Sequence, residues 1–183
     1  MSPDPDHRFE LAIDLKHLET AHEVLLELGR VVGADDDSNS LDRQNKWRRL
    51  GDLALSQGQV ALAITCAERS NDTSGLLLLY SSRGDRAGMI SLAEQAHSQG
   101  RFNVAFLAYL LTGAVEQCLA LLVEQGRVPE AAFMARTYMP SKIPSLLEAW
   151  RVDLKQVNEK AAEALADPVR YPNLFPDLML VLL

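Results

Sequence analysis

Histidine and cysteine are the side chains of this sequence best suited to bind a metal or act as nucleophiles. The chain contains four histidines and two cysteines: His7, His17, His22, His97, Cys66 and Cys118. His17 and His22 are five residues apart, share no helical face and belong to no CxxC or HExxH pattern. We therefore predict no metal site. Both cysteines lie in apolar stretches and are expected to be small buried residues in a reducing compartment.

Other catalytic patterns are also missing from the sequence. It contains no GxGxxG, GxxxxGK[ST] or GxSxG motif, which would hold phosphates or a nucleophilic serine. Carboxylates such as Glu10, Glu94 and Glu163 are spread over polar faces, where solvated surface residues are expected. We predict a protein that is not an enzyme and needs no cofactor. An enzyme on a helical-repeat frame stays open as an alternative, and its mark would be polar residues converging on one face.

Length and charge narrow the class of protein further. A chain of 183 residues with 48% apolar residues suits one medium globular domain. The net charge of −7, with no basic block, argues against nucleic acid or an anionic membrane as a partner. The N-terminal residues lack a signal-peptide pattern, and no apolar run is long enough to cross a bilayer. Direct membrane insertion is not expected.

The glycines indicate the elements that organise the chain. Apolar residues recur at spacings of three and four, as in helices, and strand patterns are nearly absent. Gly58, Gly84 and Gly113 each stand between two amphipathic stretches, where a left-handed residue ends a helix. A second set, Gly29, Gly100 and Gly126, closes the second stretch of each pair. Such recurrence predicts a series of helical hairpins.

Aligning the hairpins on the turn residue produces columns of small or apolar residues. Four positions before the turn stand Ala54, Tyr80 and Tyr109, and five after it stand Ala63, Met89 and Cys118. The first hairpin fits this register with Lys16 in the turn, between Ala12 and Ala21. Small residues in these columns let two helices cross closely.

One hairpin matches a known repeat pattern. Trp47, Leu50, Gly51 and Ala63 follow the tetratricopeptide (TPR) spacing W-x2-L-G with a small residue on the second helix. Ala54 and Ala67 replace the usual aromatic residues, and the repeat is shorter than usual. The predicted fold class is therefore all-α, an α-solenoid of short TPR-like helical hairpins.

The expected domain organisation has three parts. Residues 1–7 form an N-terminal tail, residues 8–167 form the solenoid with an acidic loop at about 34–45, and residues 168–183 form a proline-broken apolar C-terminal segment. Between Pro140 and the Asp167-Pro168 pair we expect one longer helix or two, with Ser141 as a possible N-cap and Pro144 in the first turn.

Interface candidates come from bulky and basic side chains. Trp47 and Trp150 could each hold a partner, although a core position is the more common role of tryptophan at helical spacing. Arg136, Arg151 and Arg170 fit an interface or a scattered solubilising charge equally well. The chosen partner-interface candidates are Tyr171, Leu174 and Phe175, which lie between prolines. Their alternative role is a cap over the last hairpin.

Four stretches carry a family resemblance: GLLLLYSSRGD, NVAFLAYLLTG, GRVPEAAFMARTYMPS and VNEKAAEALADPVRYPNLFPDL. Together they resemble the coatomer beta-prime family, in particular the helical solenoid that follows its two β-propellers. The likeness runs from residue 8 to about residue 177. The segment of residues 34–45 looks like an insertion relative to this family.

The resemblance implies a role in a vesicle coat. Members of the family pair with the coatomer alpha subunit, and with other coatomer subunits, in the COPI coat of Golgi-to-ER and intra-Golgi transport. A cytoplasmic protein, peripheral on Golgi membranes and COPI-coated vesicles, is expected. Dilysine cargo is read by the propellers, so cargo binding is not expected of this chain. An alternative is a solenoid of another propeller-plus-solenoid scaffold, of the intraflagellar-transport or clathrin-like type.

Overall fold

The structure is a computed structural model that describes residues 4–31, 40–168 and 170–175. In these ranges the regular structure is helical throughout, with short 3-10 turns at Pro140–Lys142 and Pro172–Leu174 and no β-strand. The α-helices are α1 (Pro5–Asp14), α2 (Leu18–Val31), α3 (Ser40–Ser56), α4 (Val60–Arg69), α5 (Thr73–Arg83), α6 (Arg86–Ser98), α7 (Phe102–Thr112), α8 (Val115–Glu124), α9 (Val128–Tyr138), α10 (Ile143–Val157) and α11 (Glu159–Ala164). The predicted all-α hairpin fold is confirmed.

Short polar side chains begin several helices. The Asp4 carboxylate accepts a hydrogen bond from the Asp6 amide at 3.0 Å, and Pro5 supplies the first helical residue of α1. The Asp72 carboxylate accepts in the same way from the Gly75 amide at 3.0 Å, at the start of α5. Each such bond satisfies an amide that the first turn of a helix leaves without a partner.

Two predicted boundaries differ from the structure. The N-terminal tail expected over residues 1–7 ends early, because the Asp4 cap already starts α1 at Pro5. The acidic loop expected at about 34–45 overlaps α3, which begins at Ser40. Asp42 lies one helical turn before Lys46, and the 2.5 Å bond between them stabilises helix in a stretch that looked too polar to fold. Residues 34–39 of that loop lie outside the described residues.

The predicted glycine turns are confirmed. Gly58, Gly84 and Gly113 have φ angles of 73°, 64° and 75°. At each turn the next amide donates to the carbonyl four residues before the glycine, over 2.8 to 3.0 Å: Gln59 to Ala54, Asp85 to Tyr80 and Ala114 to Tyr109. This bond closes the C-terminal turn only when the intervening residue is left-handed. Lys16, assigned to the first turn by register, has φ 58°.

The second glycine set is only partly confirmed. Gly100 and Gly126 have positive φ and end their helices as expected. Gly29 does not, because α2 continues through it to Val31. In the next hairpin the equivalent left-handed position holds Asn71, with φ 53°. Asparagine tolerates this conformation better than other non-glycine residues, so the turn was hidden from a search for glycine.

The chain divides into two compact units, Met1–Leu92 and Ala93–Leu183, where its length had predicted one domain. The core of the N-terminal unit joins helices α1 to α4 through buried side chains including Phe9, Leu25, Trp47 and Leu50. A side-chain carbon added at Gly51 would lie 3.2 Å from Cβ of Cys66, so this glycine lets α3 and α4 touch. The W-x2-L-G stretch therefore forms helix-packing core, as predicted for Trp47.

The C-terminal unit has its main core between α8, α9 and α10. Its buried residues are Leu119, Leu122, Ala131, Ala132, Ala135, Ile143, Leu146 and Leu147. Three of them are alanines on α9, and their small size brings the neighbouring helix axes close. Helices α10 and α11 are separate, which resolves the choice between one helix and two. Lys142, rather than the predicted Ser141, directly precedes α10, because the 3-10 turn Pro140–Lys142 runs into the helix without a capping side-chain hydrogen bond.

Candidate docking surface

Among the residues that the structure describes, no three histidine, cysteine or acidic side chains are grouped to hold a metal ion. Cys66 and Cys118 are buried and unpaired in different units. Burial raises the pKa of the Cys66 thiol to about 12 and that of Cys118 to about 11. A thiol that stays protonated is a poor nucleophile, so both act as packing residues.

Two of the histidines, His22 and His97, contact neighbouring side chains instead. The ring of His22 contacts the edge of the Trp47 ring, with centroids 5.7 Å apart. Nε2 of His97 lies 2.8 Å from a carboxylate oxygen of Glu124, and its ring contacts Phe102. The structure brings none of the described histidines together as metal ligands.

A groove of apolar side chains, which we call the C-terminal groove, lies between α9, α10 and the chain after α11. Its walls are Ala132, Phe133, Arg136, Ile143, Leu147, Trp150, Leu165, Ala166, Pro168 and Phe175. Nine of these ten residues are apolar, and the tenth is a cation. Exposed apolar surface rimmed by polar groups is typical of a binding site for another protein.

One of the three aromatic side chains of this groove is mostly exposed, and the other two are half-buried. Phe133 is 62% exposed, and its ring contacts that of half-buried Trp150 edge to face, with centroids 5.7 Å apart. The guanidinium of Arg136 lies 5.8 Å from the centre of the Phe175 ring. Aromatic rings and arginine are the side chains most enriched where proteins bind one another.

A partly buried ion pair fixes the far wall of the groove. Arg151 is 8% exposed and donates to Glu148 on its own helix and to Asp167 beyond α11, over 2.5 and 3.2 Å. The Asp167 carbonyl in turn accepts the Tyr171 amide at 2.8 Å. These bonds hold the Asp167-Pro168 turn against α10 and so position Phe175. Arg151 is thus neither a scattered surface charge nor a free interface residue, unlike exposed Arg136 and Arg170.

The three predicted interface residues fall into two groups. Tyr171 and Leu174 are 49% and 58% exposed, as a partner-facing residue would be. Phe175 is half-buried and packs on the core of the C-terminal unit, which matches its alternative role as a cap. Residues 176–183, the rest of the predicted C-terminal segment, lie outside the described residues.

Phe133 was missed by the sequence analysis, although a signal for it exists. Ala131 and Ala135 are four residues apart and mark the inward stripe of α9. Phe133 stands two positions from each, which on a helix turns it away from that stripe. A large aromatic residue that lies away from the buried face of its helix indicates an exposed ring.

A second groove lies on the other side of α9, against α7 and α8. It is lined by Phe102, Asn103, Phe106, Leu107, Leu110, Leu121, Leu122, Gln125, Arg127, Glu130, Met134 and Tyr138. Here the only cation among the lining residues is neutralised, because Arg127 forms a two-pronged ion pair with Glu130. The two grooves therefore differ both in charge and in polarity, since four of these twelve residues are polar or charged against one of ten in the C-terminal groove.

No helix in the described part of the chain has the length and hydropathy needed to cross a bilayer.

The chain resembles coatomer proteins along its whole length. Coatomer subunit beta'-2 of Arabidopsis thaliana is 48% identical over 182 residues, covering 100% of this chain and 18% of the relative. Coatomer subunit beta'-2 of Oryza sativa subsp. japonica is 45% identical with the same coverage of this chain and 19% of its own length. Coatomer subunit beta' of Rattus norvegicus is 44% identical over 178 residues, 97% of this chain and 18% of the relative.

The chain therefore spans about a fifth of the length of these curated relatives. The resemblance noted from the four quoted stretches is confirmed by these identities. The family model described as the COPA/B TPR domain matches residues 1–151, which is most of the chain. The helical hairpins and this match together show that the chain belongs to the COPA/B TPR domain family.

Proposed function

We propose that this chain is a non-catalytic structural module of the COPI coat that pairs with the coatomer alpha subunit. The observation that carries the proposal is the family match over residues 1–151, together with 44% to 48% identity to coatomer beta-prime subunits across the chain. In this role it would act in Golgi-to-ER and intra-Golgi transport, on the cytoplasmic side of Golgi membranes and vesicles. Its contact with the membrane would be made through other coat subunits.

The chemistry of such a module is burial of surface rather than catalysis. Helical hairpins present extended faces, and binding is distributed over many side chains. A permanent complex of this kind buries on the order of 2,000 Å² or more. The C-terminal unit displays suitable exposed residues, among them Phe133, Tyr138, Tyr171 and Leu174. Tyr171, Leu174 and Phe175 remain proposed members of the interface.

Isothermal titration calorimetry tests this function. The purified chain is titrated with the solenoid of a coatomer alpha subunit at several temperatures. We expect saturable binding with a large negative heat-capacity change, the mark of apolar surface being buried. The solenoid of a clathrin-type scaffold is the matched control and should give no heat of binding. Absence of binding to the alpha subunit at tens of micromolar, about the weak end of specific association, would reject the pairing.

A further inference from the structure

We infer that the C-terminal groove binds an acidic-apolar segment of its partner, with an apolar side chain beside Phe133 and Trp150 and a carboxylate on Arg136. This inference rests on the proposed function and specifies the surface that it uses. The occupant is defined by its chemistry: a segment that carries a large apolar residue with Asp or Glu within one helical turn of it.

The charge of the groove is positive. Arg136 is the one charged residue among its walls. A guanidinium on an apolar surface attracts an acidic group and not a second basic one. Of the described residues, none offers Arg136 a carboxylate within ion-pair distance, and the guanidinium lies over the Phe175 ring.

Other arginines of the same unit are paired. Arg127, in the groove across α9, is paired with Glu130, and Arg151 is paired with Glu148 and Asp167. None of the described residues forms an ion pair with Arg136, and its position over a ring holds the guanidinium at the groove. A guanidinium held in this way binds a carboxylate with less loss of side-chain freedom than a mobile lysine would.

The apolar part of the groove is formed largely by the rings of Phe133 and Trp150. Phe133 is 62% exposed, yet it contacts Trp150, so the two rings form one continuous surface. Burying rings of this size supplies much of the free energy of an interface, and a flanking ion pair supplies orientation. An apolar occupant without charge would leave Arg136 desolvated and unpaired, which favours the acidic-apolar segment over a purely apolar one.

Nuclear magnetic resonance can test the chemistry of the groove without the partner. The probe is 4-phenylbutyrate, an aromatic ring with a carboxylate, and the matched control is neutral 4-phenyl-1-butanol. The indole N–H signals of Trp150 and Trp47 are the readout, assigned with the Trp150→Phe variant. Trp47 lies in the core of the N-terminal unit and serves as an internal control.

We expect 4-phenylbutyrate to shift the Trp150 signal and leave that of Trp47 in place. The neutral alcohol should bind about three-fold more weakly, the size of an exposed ion pair. Arg136→Gln should remove that difference, and Arg83→Gln, at an exposed arginine of α5, should keep it. Equal binding of the two probes to the unmodified chain, or no shift of Trp150, would overturn the inferred chemistry.

The partner itself is then tested with the alpha-subunit solenoid. Phe133→Ala should weaken binding by about ten-fold, as expected for a central aromatic residue. Arg136→Glu should weaken it more than Arg136→Gln, and added salt should weaken the unmodified chain more than Arg136→Gln. Leu78→Ala, at a leucine of the N-terminal unit that is 70% exposed, is the matched control and should change affinity by less than about two-fold.

The two proposals fail in different ways. If the unmodified chain does not bind the alpha-subunit solenoid, the proposed pairing is rejected, and the assignment of that partner to the groove falls with it. If the unmodified chain binds and the Phe133→Ala and Arg136→Glu variants bind equally well, the pairing stands and the inference about the groove is overturned. Equal weakening by Leu78→Ala also overturns it.

Discussion

Helices α1 to α3 and the C-terminal groove treat their aromatic rings in opposite ways. In α1 to α3, Phe9 and Trp47 are at most 3% exposed, and Arg49 lies over the Phe9 ring while both of its terminal nitrogens bond Glu10. In the C-terminal groove, Phe133 is 62% exposed, and Arg136 lies over Phe175 without a carboxylate among the described residues. Among the described residues, the arginine that lies over a ring is therefore paired in α1 to α3 and exposed in the groove.

Ion pairs also join α1 to α3. Lys46 on α3 bonds Asp6 on α1 at 2.9 Å and Asp42 on its own helix. Arg8 on α1 bonds Glu27 on α2 at 3.1 Å. Each such surface pair contributes little, about 1 kcal/mol or less. Their effect is to join the polar edges of three helices over a core that is already buried. The two regions therefore differ in whether described carboxylates pair with their cations.

The largest expected difference in stability is between removal of the Trp47 ring and removal of the Phe133 ring. Trp47→Ala should lower the free energy of unfolding by about 3–5 kcal/mol, because it empties a packed core position. Phe133→Ala should change it by less than about 0.5 kcal/mol, because the ring is mostly in solvent. Urea unfolding followed by circular dichroism measures both. A loss at Phe133 as large as that at Trp47 would show that the Phe133 ring belongs to the core.

The next largest effect on stability comes from the close packing of α3 against α4 at Gly51. Gly51→Leu should cost about 1–3 kcal/mol, because Cβ alone would lie 3.2 Å from Cβ of Cys66 and the rest of the side chain has no room. Gly29→Leu is the matched control, since nothing lies within 4 Å of a carbon added there and α2 continues through it. It should be neutral or slightly stabilising. Thermal unfolding of both variants checks the prediction, and equal melting temperatures would contradict it.

The ion pair of Arg151 with Asp167 should contribute more to the free energy of unfolding than the surface ion pair of Arg49 with Glu10. Arg151→Met should cost about 1–2 kcal/mol, because it removes the donors to a partly buried Asp167. Arg49→Met should cost no more than about 1 kcal/mol, because its pair with Glu10 is about half exposed. Chemical unfolding of the two variants gives the comparison. The reverse order would mean that the Asp167-Pro168 turn holds without Arg151.

The smallest expected effect is a dependence of stability on pH that comes from the ion pair between Glu10 on α1 and Arg49 on α3. The hydrogen bond from Arg49, together with its charge, lowers the pKa of Glu10 below its ordinary value of 4.5. A carboxyl whose pKa is lowered by folding stabilises the fold above its unfolded pKa, and that contribution is lost as the pH falls through the folded value. Stability should therefore drop by less than about 1 kcal/mol from this pair below about pH 4.5.

The control for this prediction removes the cation. Arg49→Met should make the acid-induced loss of stability smaller than in the unmodified chain, by the amount that the Glu10 pair contributes. Urea unfolding at a series of pH values measures it. An identical pH profile for the two proteins would show that the exposed pair contributes nothing.

Much of the helical frame was predictable from the sequence because turns depend on local chemistry. Gly58, Gly84 and Gly113 stand where a left-handed residue is needed, and register alone assigned Lys16 to the same role. The turn at Asn71 was missed because asparagine can adopt the left-handed conformation but is not a specific sign of it, as glycine is. The start of α3 was missed because the bond between Asp42 and Lys46 stabilises helix in a stretch of acidic composition.

The proposed docking surface could be inferred from the sequence only in part. Tyr171 and Leu174 are exposed as expected, whereas the wall they adjoin is built by residues from several helices. The ion pair of Arg151 with Asp167 joins positions 16 residues apart, and no local pattern indicates which arginine will find a carboxylate. The distinction between Arg136 and Arg151 therefore needed the fold.

Hydrogen–deuterium exchange of the chain, alone and with the alpha-subunit solenoid, tests most directly the proposal that the C-terminal groove is the surface that binds. We expect the partner to slow exchange in α9, α10 and residues 170–175, and to leave α1 and the first turns of α3 unchanged. Slower exchange confined to α1 to α3, with α9 and α10 unaffected, would contradict the proposal.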